Sequence, residues 1–230
     1  MNVSKIIKYV VLASPNGYKA GKVLEALVEN KFFTPKNCIV VTTKNEGALV
    51  TVSKVNNIEV LIIEKNKLEE ALSEYSFDFL ISCGWNYKIS DKVIGMASVA
   101  SINCHSSYLP DYKGASAHKH AWANAESFTG TTIHLLSSDF DGGNIIEQTK
   151  IKIGLFDTPK SLIRNIAEKT ATLLPKAISK LENNDFGISQ KDLRGRYFFK
   201  TSNNKFFLLR TINILLKPFN KSVYTKNKKV

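Results

Sequence analysis

Short apolar runs alternate with helix-like segments through most of this chain. The first run covers residues 6–13, and Val23, Leu24, Leu27 and Val28 then recur at the spacing of one helix face. Further runs of strand type cover residues 38–42, 60–63 and 77–84. Strands that alternate with helices form a parallel sheet, because each crossover connection lays a helix on one face. The sequence therefore predicts an α/β fold, with a doubly wound, mostly parallel sheet that carries helices on both faces.

A long helix is predicted after these strands. Asp157-Thr158-Pro159 combines capping residues with a proline suited to the first helical position. An apolar stripe then continues to about Leu181, with Pro175 expected to bend the helix. We expect this helix to cover one flank of the sheet.

Another apolar run, residues 99–104, brings two polar side chains to one edge of the predicted sheet. Asn103 and His105 stand two positions apart, so the alternation of side chains along a strand points both in the same direction. They lie at the carboxyl end of the strand, where open α/β sheets bind ligands. Cys104, between them, is expected on the opposite face.

A carboxylate is expected to join this pair from a loop further along the chain. Residues 131–136 predict a strand, and Asp141 lies in the loop that leaves it. The next two residues, Gly142 and Gly143, allow backbone conformations that turn the loop back toward the sheet. An Asn-x-His pair or an Asp-Gly-Gly turn alone is more typical of an ordinary core contact or turn. The hypothesis therefore depends on the combination.

An amide, an imidazole and a carboxylate in one pocket suit acyl transfer to an amine. An imidazolium and a side-chain amide can both donate hydrogen bonds to the oxyanion of a tetrahedral intermediate, and each donor contributes roughly 10²–10³ in rate. A nearby carboxylate orients the imidazole and raises its pKa. The protein needs no nucleophile of its own, because the attacking amine belongs to the substrate.

The fixed positions around these three residues form a longer pattern. In order, it consists of Asn103, His105, Ser107, Leu109, Pro110, Tyr112, Gly114, Gly130, Thr132, His134, Asp141, Gly143, Ile145 and Ile146. The pattern resembles that of the folate-dependent formyltransferases, the family of glycinamide ribonucleotide formyltransferase, methionyl-tRNA formyltransferase and the sugar N-formyltransferases. The resemblance implies that Asn103, His105 and Asp141 form the catalytic trio. It also implies N10-formyltetrahydrofolate as the formyl donor, and no metal ion.

The same resemblance assigns residues to the two substrates. In the family, the segment that corresponds to residues 85–89 holds the pterin ring of the folate. The predicted cofactor-binding residues are Trp85, Tyr87, Ile89, Ser138 and Asp139. The residues predicted to bind the amine acceptor are Asn16, Gly17, Lys113 and Gly114. The alternatives are ordinary packing of the aromatic side chains and an ordinary Asn-Gly turn.

The positive charge is concentrated toward the C-terminal end of the sequence. The net charge is +12, yet the residues after Asp192 include ten basic ones and no acidic one. We predict a formyltransferase domain at residues 1–185 and a basic extension at 186–230, in which residues 196–200 form a strand of a small hairpin across Asn203 and Asn204. Four roles are open for the extension: packing on the domain, contact in a homodimer, weak association with a membrane surface, and RNA binding.

The three cysteines lie in apolar runs. Cys38, Cys83 and Cys104 lack the spacing of a zinc site, and we expect buried, reduced thiols in a cytoplasmic protein. The apolar part of residues 5–14 is shorter than that of a signal peptide and suits a first strand.

These observations favour an enzyme that moves a formyl group from N10-formyltetrahydrofolate to a primary amine. The favoured acceptor is a nucleotide-linked amino sugar, which would be used to build a surface polysaccharide such as lipopolysaccharide. This choice rests on Tyr108-Leu109-Pro110, Lys113-Gly114 and Arg196-Tyr197-Phe198. Glycinamide ribonucleotide formyltransferase is the alternative. A methionyl-tRNA formyltransferase would need a further RNA-binding domain, so nucleic acid is not an expected partner. An inactive binding module would be expected to have lost part of the trio, which is intact.

Overall fold

Strands and helices alternate along the chain, as the sequence predicts. The computed structural model describes residues 5–15, 17–199 and 201–216. The strands are β1 (Lys5–Leu12), β2 (Cys38–Thr42), β3 (Glu59–Ile62), β4 (Tyr75–Ser82), β5 (Ala100–His105), β6 (Lys113–Gly114), β7 (Phe128–Leu135), β8 (Ile145–Lys152) and β9 (Tyr197–Phe198). The helices are α1 (Tyr18–Glu29), α2 (Ala48–Val55), α3 (Leu68–Leu72), α4 (Asp91–Ile94), α5 (Ala117–Ala123), α6 (Pro159–Glu182) and α7 (Asn203–Leu216).

Seven strands form the central sheet, in the order β3-β2-β1-β4-β5-β7-β8. The first five strands of this order pair in parallel, and β7 and β8 add in antiparallel orientation at one edge. The chain moves outward from β1 to β2 and β3, then returns to place β4 on the other side of β1. In open α/β sheets, ligands bind where the winding reverses in this way, which here is at the carboxyl ends of β1 and β4. The predicted doubly wound, mostly parallel sheet is confirmed.

Apolar side chains cover both faces of this sheet. Along β1, Tyr9 and Val11 pack into one core cluster, while Val10 and Leu12 pack into the other. This division follows from the alternation of side chains along a strand. Side chains of α1 and α6 complete the first cluster, and those of α3 and α4 complete the second. Helices therefore lie on both faces, as predicted.

Helix α6 begins where the sequence predicts a helix start. The Thr158 hydroxyl accepts a hydrogen bond from the backbone N–H of Ser161 at 3.1 Å, and the Ser161 hydroxyl accepts one from the N–H of Thr158 at 3.0 Å. This reciprocal cap satisfies two donors that the helix itself leaves free. The helix then continues across Pro175 to Glu182.

The predicted hairpin across Asn203 and Asn204 is wrong. Strand β9 pairs in parallel with β6, and the residues that were expected to turn form the start of α7. The helical period explains the difference: Phe206 and Arg210, four positions apart, are both buried against α5.

Several contacts join the residues after 185 to the domain, including two backbone pairings and an ion-pair network. Ile188 and Ile145 exchange two backbone hydrogen bonds of 2.8 and 2.9 Å, and β9 pairs with β6. Arg196 bonds the carboxylates of Asp111 and Glu126 at 3.4 and 3.0 Å. The described part of the extension therefore packs on the domain, and a boundary at residue 185 stays a prediction. Among the helices that the structure describes, none is long and apolar enough to cross a membrane.

Candidate active site

Strand β5 places Asn103 and His105 at the edge of the sheet, between two other strands. Asn103 stands opposite Ser82 of β4 on one side and opposite His134 of β7 on the other. His105 stands opposite Thr132. Both side chains lie at the carboxyl end of β5, beside the end of β4 where the winding of the sheet reverses.

The Asp141 carboxylate lies against both of these side chains. Its Oδ1 accepts a hydrogen bond from the amide nitrogen of Asn103 at 3.2 Å and lies 3.4 Å from Nδ1 of His105. The same oxygen lies 3.4 Å from Nε2 of His134. Its Oδ2 accepts a hydrogen bond from the backbone N–H of Gly114 at 2.7 Å. The structure thus gathers the three predicted catalytic side chains, and adds His134 and Gly114 to their surroundings.

The loop that carries Asp141 reaches the sheet by a close backbone approach. Asp141 itself has a φ of 50° in the left-handed region, which is unusual for a residue with a side chain. Gly143 packs so closely that an added Cβ would lie 2.0 Å from the carbonyl oxygen of Leu135. The glycine is required by this contact rather than by a positive φ.

Burial and nearby charges shift the pKa values of Asp141 and His105 in opposite directions. Burial would raise the pKa of Asp141, but His105, His134 and the N–H of Gly114 together hold that pKa well below its ordinary value. Burial lowers the pKa of His105, and the opposing effect of Asp141 does not restore it. The carboxylate thus raises the imidazole pKa, as expected, but burial has the larger and opposite effect. Desolvation of the imidazolium outweighs its attraction to the carboxylate, so the neutral ring predominates at neutral pH.

Both ring nitrogens of His105 nevertheless face acceptors. Nε2 lies 2.8 Å from the carbonyl oxygen of Tyr112, so this nitrogen carries a hydrogen and donates it. Nδ1 lies 3.4 Å from Asp141. A second proton on the ring would be located between Nδ1 and the carboxylate, which means that the ring can become charged without turning.

A lysine that sequence reasoning did not single out lies beside His105. Lys19, in the first turn of α1, is only 6% exposed, and its ammonium donates to the carbonyl oxygen of Cys104 and to the hydroxyl of Ser106 at 3.0 Å. Burial lowers the pKa of the neighbouring His118 to about 3, and the charge of Lys19 acts in the same direction. No sequence signal distinguishes Lys19, because only the fold brings α1 against the end of β5.

The residues predicted to bind the folate lie at the carboxyl ends of β4 and β7, with different exposure. Trp85 is buried, and its indole N–H has no hydrogen-bond partner among the described residues. Tyr87 is exposed and packs edge-on against Trp85, with ring centroids 5.2 Å apart. Ile89 is partly buried in the same core cluster as Trp85, and Ser138 and Asp139 are exposed. An unpaired buried donor fits a ligand with hydrogen-bond acceptors, such as a pterin.

The residues predicted to bind the acceptor lie in different parts of the structure. Gly17 precedes α1, and its N–H donates to the carbonyl oxygen of Ser14 at 2.9 Å. Lys113 and Gly114 form β6, and the N–H of Gly114 is already bonded to Asp141. Gly114 therefore supports the trio rather than offering a free donor to the acceptor. Asn16 lies outside the described residues.

The sequence analysis did not single out Gln190. Its side chain bonds the backbone of the Asp141 loop, and we call this contact the clamp. Its side chain is buried, and its amide nitrogen donates to the carbonyl oxygens of Asp141 and Gly143 at 3.1 and 2.6 Å. These bonds fix the backbone on both sides of Gly142. Gln190 is therefore placed to position the carboxylate through the backbone of its loop.

Replacing Gln190 by alanine is expected to lower kcat by tenfold to a hundredfold, because small misplacements of a reacting group carry penalties of about this size. The KM for the formyl donor should change little, since Gln190 lies behind the loop. The matched control is Gln148→Ala, which removes a glutamine bonded at 3.5 Å to the carbonyl oxygen of Leu109 instead. Steady-state kinetics of the two variants decide the matter. Equal kcat values for Gln190→Ala and the parent protein would show that the clamp is dispensable.

Comparison with protein families identifies one match. A family model described as formyl transferase matches residues 7–178 of this chain, which is more than half of it. The matched region includes the trio and ends before Gln190. No group of three or more His, Cys, Asp or Glu side chains that could hold a metal ion occurs in the part of the chain that the structure describes.

Curated relatives and solved structures agree with this match. Methionyl-tRNA formyltransferase of Thermotoga sp. strain RQ2 is 27% identical over 187 residues, covering 75% of this chain and 58% of the relative. Methionyl-tRNA formyltransferase of Mycoplasmopsis pulmonis is 28% identical over 117 residues, covering 48% of this chain and 40% of the relative. The chain spans about half the length of the curated relatives it matches.

Two solved structures illustrate the fold. Glycinamide ribonucleotide transformylase 1 of Symbiobacterium toebii has a TM-score of 0.67 and 21% identity, with 78% of this chain and 89% of that chain covered. An N-formyltransferase of Helicobacter canadensis, in complex with folinic acid and dTDP-3-aminofucose, has a TM-score of 0.65 and 24% identity, with 91% and 81% covered. At this level of identity, the likeness establishes the shared fold.

Proposed function

Because the chain belongs to the formyl transferase family, we propose that it transfers a formyl group from N10-formyltetrahydrofolate to a primary amine. The observation that carries this proposal is the convergence of Asn103, His105 and Asp141 within 3.2 to 3.4 Å at the end of β5. The folate supplies the activated formyl group, and Trp85 together with the backbone of residues 85–89 would hold its pterin ring. The solved relative from H. canadensis binds folinic acid, which supports a folate as the donor.

Asn103 is placed to donate to the formyl oxygen, and a protonated His105 beside it would add a positive charge. Both amide hydrogens of Asn103 face acceptors in the free protein, Asp141 at 3.2 Å and His134 at 3.1 Å. The formyl oxygen would replace one of these long contacts as negative charge develops on it. Donors already in position cost no reorganisation during the reaction, which makes this kind of stabilisation effective.

Asp141 balances the charge of the imidazole during the reaction. Its low pKa makes it a weak base. The carboxylate is therefore suited to orient the imidazole and stabilise its positive charge, and not to hold the proton that the amine loses. When the amine loses its proton, the free position on Nδ1 of His105 can receive it directly or through water. The resulting imidazolium would be held by Asp141 at Nδ1 and by the carbonyl oxygen of Tyr112 at Nε2.

We propose a nucleotide-linked amino sugar as the acceptor, in a cytoplasmic step of surface polysaccharide synthesis. The H. canadensis structure, bound to dTDP-3-aminofucose, covers 91% of this chain. This coverage extends past the family match at residue 178 into the extension. The buried Lys19 adds a positive charge beside the reactive imidazole, which suits an acceptor that carries phosphate.

The second candidate acceptor is glycinamide ribonucleotide. Solved phosphoribosylglycinamide formyltransferases share the fold, and the structural match covers up to the full length of those chains. Transfer to methionyl-tRNA is the third candidate, motivated by the curated relatives. All three acceptors present a primary amine, so the trio alone does not select among them.

Thermal unfolding in the presence of nucleotides separates these candidates. We expect dTDP or UDP to raise the Tm by several degrees, because a ligand at a hundred times its Kd stabilises the folded state by about 2.7 kcal/mol. Inorganic phosphate at the same concentration is the control for simple anion binding. A shift with glycinamide ribonucleotide and none with either diphosphate would replace the sugar proposal by the purine one. Mass spectrometry of the formylated acceptor then identifies the product.

A further inference from the structure

Two of the proposed reactive side chains bond the same short backbone segment, residues 112–114. Nε2 of His105 donates to the carbonyl oxygen of Tyr112 at 2.8 Å. The N–H of Gly114 donates to Oδ2 of Asp141 at 2.7 Å. The positions of the imidazole and of the carboxylate therefore depend on how firmly this segment is held.

The backbone of Tyr112 needs support from its surroundings. Its φ is 61°, in the left-handed region, which disfavours a residue with a side chain. Such a conformation persists where neighbouring groups hold it in place. Tyr112 is buried, and its ring stacks on that of Phe198 in β9, with centroids 4.6 Å apart and planes inclined by 11°. Part of the support thus comes from the segment after α6.

Arg196, two positions before Phe198, adds its side chain to this support. Its guanidinium carbon lies 4.5 Å from the centroid of the Tyr112 ring, a distance that suits a cation–π contact. Its Nη2 donates to Oε1 of Glu126 at 3.0 Å, and the Tyr112 hydroxyl donates to the same oxygen at 2.5 Å. Its Nε donates to the carboxylate of Asp111 at 3.4 Å. One guanidinium therefore contacts the Tyr112 ring and the two carboxylates beside it.

We propose that Arg196 is a positioning residue for the reaction, which holds Tyr112 so that its carbonyl oxygen keeps the ring of His105 in the reactive orientation. This inference rests on the proposed formyl transfer. Arg196 acts through Tyr112 and takes no part in the bond-making steps. It lies outside the family match, which ends at residue 178.

Direct binding of a substrate phosphate by Arg196 fits the structure less well. The guanidinium already bonds two carboxylates, and the negative charges of Asp111 and Glu126 would oppose a further anion beside them. The cavity that Arg196 lines with these two residues has a volume of about 30 Å³. Such a cavity has room for one or two water molecules, and not for a sugar or a nucleotide.

Loss of the Arg196 side chain should lower the pKa of His105. The bond to the Tyr112 carbonyl raises that pKa, because a charged ring donates more strongly than a neutral one. Removal of a positive charge alone would have the opposite effect and raise the pKa. The direction of the change therefore separates positioning from a simple effect of charge. The other titratable groups that face the ring remain in the variant, and they are Asp141, His134, Lys19 and His118.

The test compares Arg196→Ala with the parent protein by NMR titration and by steady-state kinetics. Alanine keeps the backbone bond from the N–H of Lys113 to the carbonyl oxygen of residue 196, so the variant isolates the side chain. The pKa of His105 should be lower by roughly 0.5 to 1, as expected when one hydrogen bond to the charged ring weakens. The value of kcat should fall about tenfold, with the KM for the acceptor nearly unchanged.

Two further variants complete the experiment. Arg196→Lys keeps the charge but loses the planar fork that contacts both carboxylates and the ring, and it should show the same changes at smaller size. Arg194→Ala removes a cation at an exposed position two residues earlier and should match the parent protein in both measurements.

Three results would overturn the proposal. One is a His105 pKa in Arg196→Ala that is unchanged or raised. Another is an equal fall of that pKa in Arg194→Ala. The third is a higher KM for the acceptor with kcat and the His105 pKa unchanged, which would make Arg196 a substrate-binding residue. A parent protein that transfers no formyl group would instead refute the proposed function, while the titration still shows whether Arg196 holds the ring.

Discussion

Replacing His105 by alanine should lower kcat by about 10³-fold, while the protein remains folded. The imidazole is the one group in the trio that is placed to receive the proton that the amine loses, and a positioned base of this kind contributes roughly 10²–10⁴ in rate. His105 is buried between Asp141 and the carbonyl oxygen of Tyr112, so water is poorly placed to replace it. The measurement is single-turnover transfer to the amine acceptor with saturating formyl donor.

His105→Gln refines this experiment. Glutamine keeps a donor near the carbonyl oxygen of Tyr112 but cannot take up a proton at neutral pH. It should therefore retain the fold and remain severely impaired. His120→Gln is the matched control, because His120 is also buried and bonds a carbonyl oxygen, that of Phe199, away from the trio. Near-normal turnover of His105→Ala would remove the imidazole from the reaction.

Replacing Asp141 by asparagine should reduce kcat by about 10²-fold to 10³-fold through His105. The carboxylate raises the pKa of His105 against the effect of burial, and its loss lets that pKa fall further. The imidazolium form then becomes rarer at every pH, and the acidic limb of the pH–rate profile moves to lower pH. NMR titration of the His105 ring reports the same pKa independently of turnover. Asp192→Asn, at an exposed position, is the control.

The same substitution should change how stability depends on pH. The folded-state pKa of Asp141 lies below its value of about 4 in the unfolded chain. The ionised carboxylate therefore contributes stability above about pH 4, and this contribution is lost as the pH falls through the folded-state pKa. The parent protein should exceed Asp141→Asn in unfolding free energy at neutral pH, and the difference should shrink in acid. A constant difference across the acid range would contradict the charged pairing of Asp141.

The fold and the approximate place of the site follow from local sequence patterns. Buried strands appear as short apolar runs, and helices appear as apolar residues spaced three or four positions apart. The order of strands and helices can therefore be predicted without coordinates. Asn103 and His105 share one strand, so their common direction also follows from local geometry. Asp141 is 38 residues from Asn103, and its contact with the pair was expected from the glycines and the family pattern rather than from any local rule.

The remaining site residues depend on tertiary contacts that have no local signature. Lys19 and Gln190 reach the trio because α1 and the segment after α6 happen to pack beside it. The sign of the His105 pKa shift depends on how completely the ring is buried, which a sequence pattern does not specify. The incorrect hairpin at Asn203 has a similar origin, since the partner strand of β9 comes from Lys113 and Gly114.

The clamp on the aspartate loop comes from a part of the chain that the family match leaves out. The match ends at residue 178, whereas Gln190 holds the loop and β9 pairs with the strand whose Gly114 N–H binds Asp141. The position of the Asp141 carboxylate therefore depends in part on residues that lie outside the matched domain. A substitution at Gln190 or in β9 would thus alter how the carboxylate is held while leaving Asn103, His105 and Asp141 themselves unchanged.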